Sequence, residues 1–482
     1  MSDTTPTSAP PAISPEELAI CLRVLGQAGE LDADHPDSMT VQREVGHLFK
    51  KLKKRRRIAA RDLVSAADRA VVAATATGSP DRIDDETAGI ALTSSTRGAT
   101  AGTLIRARPC YVCKTRYTQV DAFYHQLCPT CAAKSRAKRD ARTDLTGKRA
   151  LLTGGRAKIG MYIALRLLRD GAHLTITTRF PNDAIRRFKA MDDSADWIHR
   201  LQVVGIDLRD PAQVVALADS VAQQGPLDIL INNAAQTVRR STGSYSALVD
   251  AESGPLPVGT LPEVLTFGTT MQAHPSSLTS SLPSTLADSV SELALVAGSA
   301  TPERISQGIA IDAGGLVPDL AHTNSWVQTV GEVDPIELLE VHLCNSVAPF
   351  ILVSRLRPAM AASRAERKYI VNVSAMEGQF GRAYKGPGHP HTNMAKAALN
   401  MLTRTSSKEM LETDRILMTA VDTGWITDER PHPTKMRLAE EGFHAPLDLV
   451  DGAARVYDPI VQGEAGVDLH GCFLKDYEPS PW

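Results

Sequence analysis

Apolar residues recur three and four apart in the first part of the chain, at Leu18, Cys21, Leu22 and Leu25, then at Val45, Leu48 and Leu52, and again at Leu63, Ala66 and Val71. Each stretch thereby gains one apolar face at the helical period, which predicts a small helical module over about residues 15–100. Ser14-Pro15-Glu16-Glu17 marks its start, with a capping hydroxyl, a proline at the first helical position and acids in the first turn. Residues 1–14 are rich in Pro, Ser and Thr and are expected to be disordered.

From about Asp144 onward the pattern changes to short apolar runs, Arg149 to Thr153, Gly171 to Thr178, a run ending at Gly205 and Leu227 to Ile231, alternating with helix-length stretches such as Pro211 to Gln224. Strands alternating with helices predict a parallel sheet with helices on both faces, a doubly wound α/β domain over 144–482. Between about residues 240 and 325 the chain turns rich in Ser, Thr, Pro and Leu and shows no recurrent strand pattern, apart from helical spacing at Leu286 to Val296. This reads as an insertion, serving as a lid, a partner surface or a linker.

At 482 residues the chain is long enough for two or three units with sizeable cores. A formal net charge of -2 lacks the field of a dedicated nucleic-acid binder, and the basic run from Lys50 to Arg57 reads as a solvated helix face. No apolar run approaches the about 20 residues that span a bilayer, and no hydrophobic segment follows positive charge near the N-terminus. A cytoplasmic protein without a membrane partner is the expectation. Cys21, Cys344 and Cys472 are scattered, which suits a reducing compartment without disulfides.

The other four cysteines are ordered differently. Cys110-x-x-Cys113 is followed after fourteen residues by Cys128-x-x-Cys131, and two such knuckles present four thiolates to a tetrahedral zinc. Four protein ligands leave no open position for water, so the zinc would be structural and would stabilise a segment, about 105–140, too short for a core of its own. His125 is a substitute ligand by proximity, and such ribbons often recruit partners.

The run Arg149 to Thr153 leads into Gly154-Gly155-Arg156-Ala157-Lys158-Ile159-Gly160 and then a helix with Ile163, Leu167 and Leu168. Glycines let backbone approach a pyrophosphate, and the helix N-terminus offers unpaired N–H groups and partial positive charge. Further on come Gly205-Ile206-Asp207-Leu208 and Asn232-Asn233-Ala234-Ala235.

At these residues the chain resembles the short-chain dehydrogenase/reductase family, whose pattern includes Thr-Gly-x-x-x-Gly-x-Gly, an Asp after the third strand and Asn-Asn-Ala-Gly. The likeness covers about Asp144 to Gly424 apart from the insertion. It implies an NAD(P)-dependent oxidoreductase acting on a carbonyl or alcohol. Thr153, Gly154, Gly155 and Gly160 would line the pyrophosphate with Arg156, Lys158 and Ile159 among them, Asp207 and Leu208 the adenine, Asn233, Ala234 and Ala235 the adenosine ribose region, and Lys396 the nicotinamide ribose. Thr423-Gly424 replaces the Pro-Gly turn beside the carboxamide. Arg179 stands where an NAD-preferring site places an acid, so it, Lys158 or Arg156 would pair with a 2′-phosphate, favouring NADP over NAD.

Asn345 matches the family's active-site asparagine, and Lys396, at the start of a helix from Ala395 to Met410, its lysine. The tyrosine four residues before that lysine is Thr392 here, Ala375 stands in the place of the serine, Ser374 is its structural neighbour, and Lys158 replaces the middle glycine. A threonine hydroxyl ionises far less readily than a phenol, so the proton donor must lie elsewhere, with Tyr384 and His391 in the loop from Gly378 to His391 as candidates. The alternative is a catalytically silent NADP(H) sensor or scaffold whose zinc module recruits a protein partner. Family members often pair through the helices bearing Asn345 and Lys396, which implies a homo-oligomer.

Overall fold

A computed structural model describes residues 13–80, 82, 95–240, 242–267, 316, 321–382, 384–427 and 429–482. The expected disorder of residues 1–12 and the helical spacing at 286–296 lie outside the described residues. The chain forms two compact units, Met1–Ala70 and Val71–Trp482.

The first unit holds α1 (Pro15–Glu30) and most of α2 (Pro36–Ala73). Ser14 caps α1 reciprocally: its hydroxyl accepts the Glu17 N–H at 3.1 Å, and its own N–H donates to the Glu17 carboxylate at 3.0 Å. The basic run Lys50 to Arg57 is exposed along α2. The helical module ends at Ala73, short of the expected residue 100: the Thr75 N–H and hydroxyl both turn back to the Val72 carbonyl, at 3.0 and 2.7 Å, and the chain goes on to bond elsewhere. Ala76 and Thr77 donate to the carbonyls of Ala122 and Phe123 at 3.1 and 2.9 Å, so these residues belong with the cysteine segment.

That segment opens the second unit with the antiparallel pair β1 (Thr100–Pro109) and β2 (Arg116–Asp121), then α3 (Pro129–Asp140). The α/β domain follows with β3 (Arg149–Leu152), α4 (Lys158–Arg169), β4 (His173–Thr178), α5 (Pro181–Lys189), α6 (Ser194–Trp197), β5 (Leu201–Gly205), α7 (Pro211–Gln223) and β6 (Ile229–Asn232). After α8 (Ser246–Ser253) and β7 (Glu263–Thr266), α9 (Pro335–His342) passes through a π-turn at Leu343–Val347 into α10 (Ala348–Ala361). The chain ends with β8 (Lys368–Ser374), α11 (Pro390–Asp414), β9 (Ile416–Asp422), α12 (His432–Glu440), α13 (Leu449–Glu464), β10 (Phe473–Lys475) and β11 (Glu478–Ser480).

Among the described residues, nine of these strands form one sheet in the order β11-β10-β9-β8-β6-β3-β4-β5-β7, parallel throughout except at β11. The chain winds outward from β3 to β5 and returns to β6 on the other side of β3. That reversal leaves a crevice at the carboxyl ends of β3 and β6. Helices cover both faces, as the alternation predicts: Ile163 and Leu167 of α4 pack with Val456 and Ile460 of α13 on one, and Val214 of α7 with Leu352 and Leu356 of α10 on the other. β7 belongs to the 240–325 insertion, where no strand was expected. It is a short edge strand with three of its four residues exposed, so it carries no apolar run to read.

The helical stretch Pro335–Ala361 is long and apolar enough by composition to cross a membrane, against the expectation that no run comes close. Its apolar character is that of a core helix, with Leu352, Leu356 and Met360 buried beside the sheet.

Candidate active site at the carboxyl ends of β3 and β6

The loop after β3 is shaped by backbone crowding. A Cβ on Gly160 would stand 2.0 Å from the Gly154 carbonyl oxygen, so the first turn of α4 is pressed onto the loop. Gly154 has φ +70°, and a Cβ there would meet the Ala234 Cα at 2.9 Å. Lys158 holds the place of the family's middle glycine with φ +53°, keeping a left-handed conformation that costs a non-glycine residue about 1 kcal/mol.

The cleft above this loop has a volume of about 400 Å³, and Gly154, Arg156, Lys158, Ile159, Gly160, Ala234 and Ala235 line it. Thr153 and Gly155, expected on the pyrophosphate, do not. Thr153 is buried and its hydroxyl accepts the N–H groups of Asn233 and Ala234, each at 3.0 Å. Gly155 is packing: a Cβ would lie 2.5 Å from Ile176 of β4. Asn233 does reach the cleft edge, but its amide donates to the Thr153 and Gly154 carbonyls at 3.0 and 3.1 Å, stitching β6 to the loop.

Asp207 and Leu208 line the far end. The Asp207 carboxylate is held by Arg209, which also reaches Glu340 at 3.1 Å. Of the three cations considered for a 2′-phosphate, Arg156 is committed to an ion pair with Asp183. Arg179 sits 5.1 Å from the centre of the Tyr245 ring and donates to its hydroxyl at 3.4 Å. Among the described residues no carboxylate pairs with Arg179. Tyr245 and Leu316, both from the insertion, complete this wall; nothing in the sequence marked them, since the insertion has no pattern to read.

Beside the cleft, α11 starts at Pro390, five residues before the expected Ala395, with His389 ahead of it at φ +44° and stacked 4.0 Å from the Trp326 ring. His391 and Thr392 are therefore on the same helix as Lys396 and not in a loop. His391 is buried, and among the described residues neither ring nitrogen has a hydrogen-bond partner by geometry. Burial holds its pKa below the usual histidine value, against the Thr237 backbone, and His389 and His342 add to the shift. Thr392 Oγ1 donates to the Thr237 carbonyl at 3.4 Å. Tyr384 is 75% exposed and turned to solvent, so the loop does not fold back over the site and Tyr384 is not part of it.

Lys396 Nζ donates to the Val373 carbonyl at 2.9 Å, and burial pulls its pKa down to about 8. Its charge is felt by Cys344, which lines the cleft and whose thiol burial pushes up to about 11. Cys344 was read only as a scattered cysteine; its place next to Asn345 was the available signal. Ser374 donates to Asn400 at 2.6 Å, the structural role the family pattern implies, and Ala375 leaves the serine position without a hydroxyl.

Thr423 and Gly424 do not line the cleft either. Gly424 has φ +77° and packs where a Cβ would stand 2.6 Å from Leu447, so Ile426 and Thr427 form this wall instead.

The ligand atoms of Cys110, Cys113, Cys128 and Cys131 all lie within 4.8 Å of one another. Cys113 and Cys128 sulfurs are 3.7 Å apart, close to the about 3.8 Å edge of a tetrahedron with Zn–S bonds of about 2.3 Å. The Cys128 N–H donates to the Cys110 sulfur at 3.3 Å, and Lys114 turns the knuckle at φ +62°. His125 is not among them: its ring nitrogens meet Thr77 Oγ1 at 2.8 Å and Gln126 Nε2 at 3.0 Å.

A family model described as short chain dehydrogenase matches residues 148–250. "Uncharacterized protein R665" of Acanthamoeba polyphaga mimivirus is 31% identical over 372 residues, which cover 73% of this chain and 71% of that protein. A "Probable oxidoreductase" of Streptomyces antibioticus and "Oxidoreductase UcpA" of Escherichia coli K12 are each 40% identical over 91 residues, 19% of this chain. The match spans 30% and 33% of those two proteins. Among solved structures, the NADPH-bound carbonyl reductase from chicken fatty liver aligns at 18% identity and a TM-score of 0.42, covering 70% of this chain and all of that one. With the glycine turn, Asn345, Lys396 and the strand order all in place, the chain belongs to the short-chain dehydrogenase/reductase family.

Proposed function

We propose that this chain is an NADP-dependent oxidoreductase acting on a carbonyl or alcohol, with His391 taking the proton role that Thr392 leaves open. The observation that carries the reading is a single cleft built on the β3–α4 glycine turn, with Lys158 and Arg179 in its wall and Lys396 and Asn345 beside Cys344. Gly154 and Gly160 let the loop and the first turn of α4 close up beneath the cleft, and Lys158 and Arg179 line it beside that helix N-terminus, so the residues present suit a pyrophosphate bearing a further phosphate.

The nicotinamide, when bound, supplies or accepts hydride at carbon. Lys396 is cationic below about pH 8 and places positive charge next to the reacting end. His391, kept neutral at pH 7 by burial, accepts the alcohol proton on oxidation and returns it on reduction. The test is NADP(H)-coupled turnover over a panel of carbonyls and alcohols. Turnover should survive Thr392→Ala, fall about 100-fold or more in His391→Asn and fail in Lys396→Ala. Turnover unchanged in His391→Asn would remove His391 from the reaction.

The losses at Ala375 and Thr392 favour a second reading, a silent dinucleotide sensor or scaffold. In that case no substrate turns over, while NADP(H) still binds and protects the 240–325 insertion, whose Tyr245 and Leu316 line the cleft, from protease. For the four cysteines the reading is a structural zinc, since a closed thiolate set leaves no position for substrate. Phe350, Met394 and Met401 are more than half exposed on α10 and α11, which supports a homo-oligomer formed through these helices, to be read by analytical ultracentrifugation.

A further inference from the structure

The cysteine knuckle is bonded to both ends of one stretch of the α/β domain, Trp425 to Leu449. At its start, Tyr111, which lies between the paired Cys110 and Cys113, accepts the Trp425 N–H through its hydroxyl at 2.9 Å. At its end, Gln126 donates to the His444 carbonyl at 3.3 Å, and the buried Arg82 donates to the carbonyls of Ala445 and Leu447 at 2.7 and 2.6 Å. Just beyond, Arg139 of α3 pairs with Asp448 and Asp451, and the Tyr124 hydroxyl donates to Asp451 at 2.7 Å.

The apolar contacts follow the same line. Cys110, Cys128 and Tyr124 share one core with Ile426, Leu447 and Leu449, and Ile159 packs against it. Ile159, Ile426 and Leu449 also line the dinucleotide cleft. The core that holds Cys110 and Cys128 thus shares Ile159, Ile426 and Leu449 with the wall of the cleft.

We propose that the knuckle is a metal-dependent clamp on the cleft, so that metal occupancy at Cys110, Cys113, Cys128 and Cys131 and dinucleotide binding are coupled; this rests on reading the cleft as a dinucleotide site. A tetrathiolate metal ties the turn bearing Tyr111 to the start of α3, which Cys128 caps and on which Cys131 and Arg139 lie. Without it the turn and α3 keep only weaker ties, among them the Cys128 N–H to Cys110 sulfur bond at 3.3 Å and the Tyr111 N–H to Gln126 carbonyl bond at 2.8 Å. The turn and α3 then part, and the anchors at Trp425 and Asp448 loosen together with Ile426 and Leu449. By linkage the coupling is reciprocal, so a bound dinucleotide must also retain the metal.

The experiment uses the full chain, with its zinc content measured by atomic emission, and titrates NADPH into zinc-loaded protein, into protein stripped by a chelator and into stripped protein given Zn²⁺ again. Expected are one zinc per chain, NADPH affinity at least tenfold weaker after stripping and restored by Zn²⁺, and slower zinc release to a chromogenic chelator in the presence of NADPH. Tyr111→Phe guards against loss of fold on stripping: it should retain zinc and native circular dichroism yet bind NADPH several-fold more weakly. A chain that takes up no zinc, or a Tyr111→Phe variant with wild-type affinity, overturns the proposal. Binding indifferent to zinc overturns the coupling alone, whereas zinc-loaded protein that binds no NADPH overturns the cleft reading and the coupling with it.

Discussion

The side-chain amide of Asn345 holds both backbone groups of Gln236: its oxygen accepts the Gln236 N–H at 2.7 Å and its nitrogen donates to the Gln236 carbonyl at 2.8 Å. Gln236 lines the cleft, and its own amide donates to Glu340 at 2.9 Å. The π-turn in the α9–α10 helix presents Asn345 to this segment, so the family's asparagine here fixes the chain that leaves β6.

Asn345→Ala leaves a partly buried N–H and C=O without partners, each worth about 1–3 kcal/mol. Unfolding in urea should show a loss of about 2–4 kcal/mol, with weaker NADPH binding. Asn345→Asp keeps the acceptor and loses the donor, so its loss should be smaller. Equal losses in the two variants would mean that the bond from the Gln236 N–H, which aspartate keeps, contributes nothing.

Two substitutions in the glycine loop should act in opposite directions on the free protein. Lys158→Gly relieves a left-handed backbone and should raise the unfolding free energy by up to about 1 kcal/mol, while weakening NADPH by removing an ammonium from the cleft. Gly160→Ala drives a Cβ to 2.0 Å from the Gly154 oxygen and should both destabilise the fold and abolish dinucleotide binding. Thermal melts and NADPH titrations of the pair decide this, and a Gly160→Ala protein that binds NADPH normally would disprove the crowding argument.

The lysine sets a pH dependence. Burial lowers the Lys396 pKa from 10.5 to about 8 in the folded chain, so between those values the unfolded chain binds the extra proton. Stability attributable to this group therefore rises with pH from about 8 to about 10.5, by about 1.4 kcal/mol per unit at most. Lys396→Met should be the more stable protein near pH 7 and should lack that rise. Parallel pH profiles of unfolding for the two chains would contradict it.

Much of the α/β domain is legible in the sequence because strands buried on both faces carry continuous apolar runs, and because crowding at Gly154 and Gly160 admits little else. What was missed falls under two physical causes. Side chains such as Thr153 and Asn233 were assigned to cofactor by family position, whereas their polar atoms are used to bind β3, β6 and the loop to one another. The knuckle's anchors join residues more than three hundred positions apart, as Tyr111 and Trp425 are, and no local pattern encodes such a contact. α11 starts earlier than the pattern suggests because Thr392 and His391 are weak helix formers that mask its first turn, although Pro390 is a helix-starting residue, and the burial of His391 follows from that turn.

Arg179 lies in the cleft wall without a carboxylate partner among the described residues, and on the proposed reading it would carry a preference for a 2′-phosphate. The most direct measurement is a calorimetric titration of zinc-loaded protein with NADPH and NADH, alongside Arg179→Ala. The account predicts NADPH binding at least tenfold tighter than NADH, with the preference lost and NADH binding unchanged in Arg179→Ala. Binding of neither dinucleotide to the wild-type chain would contradict it.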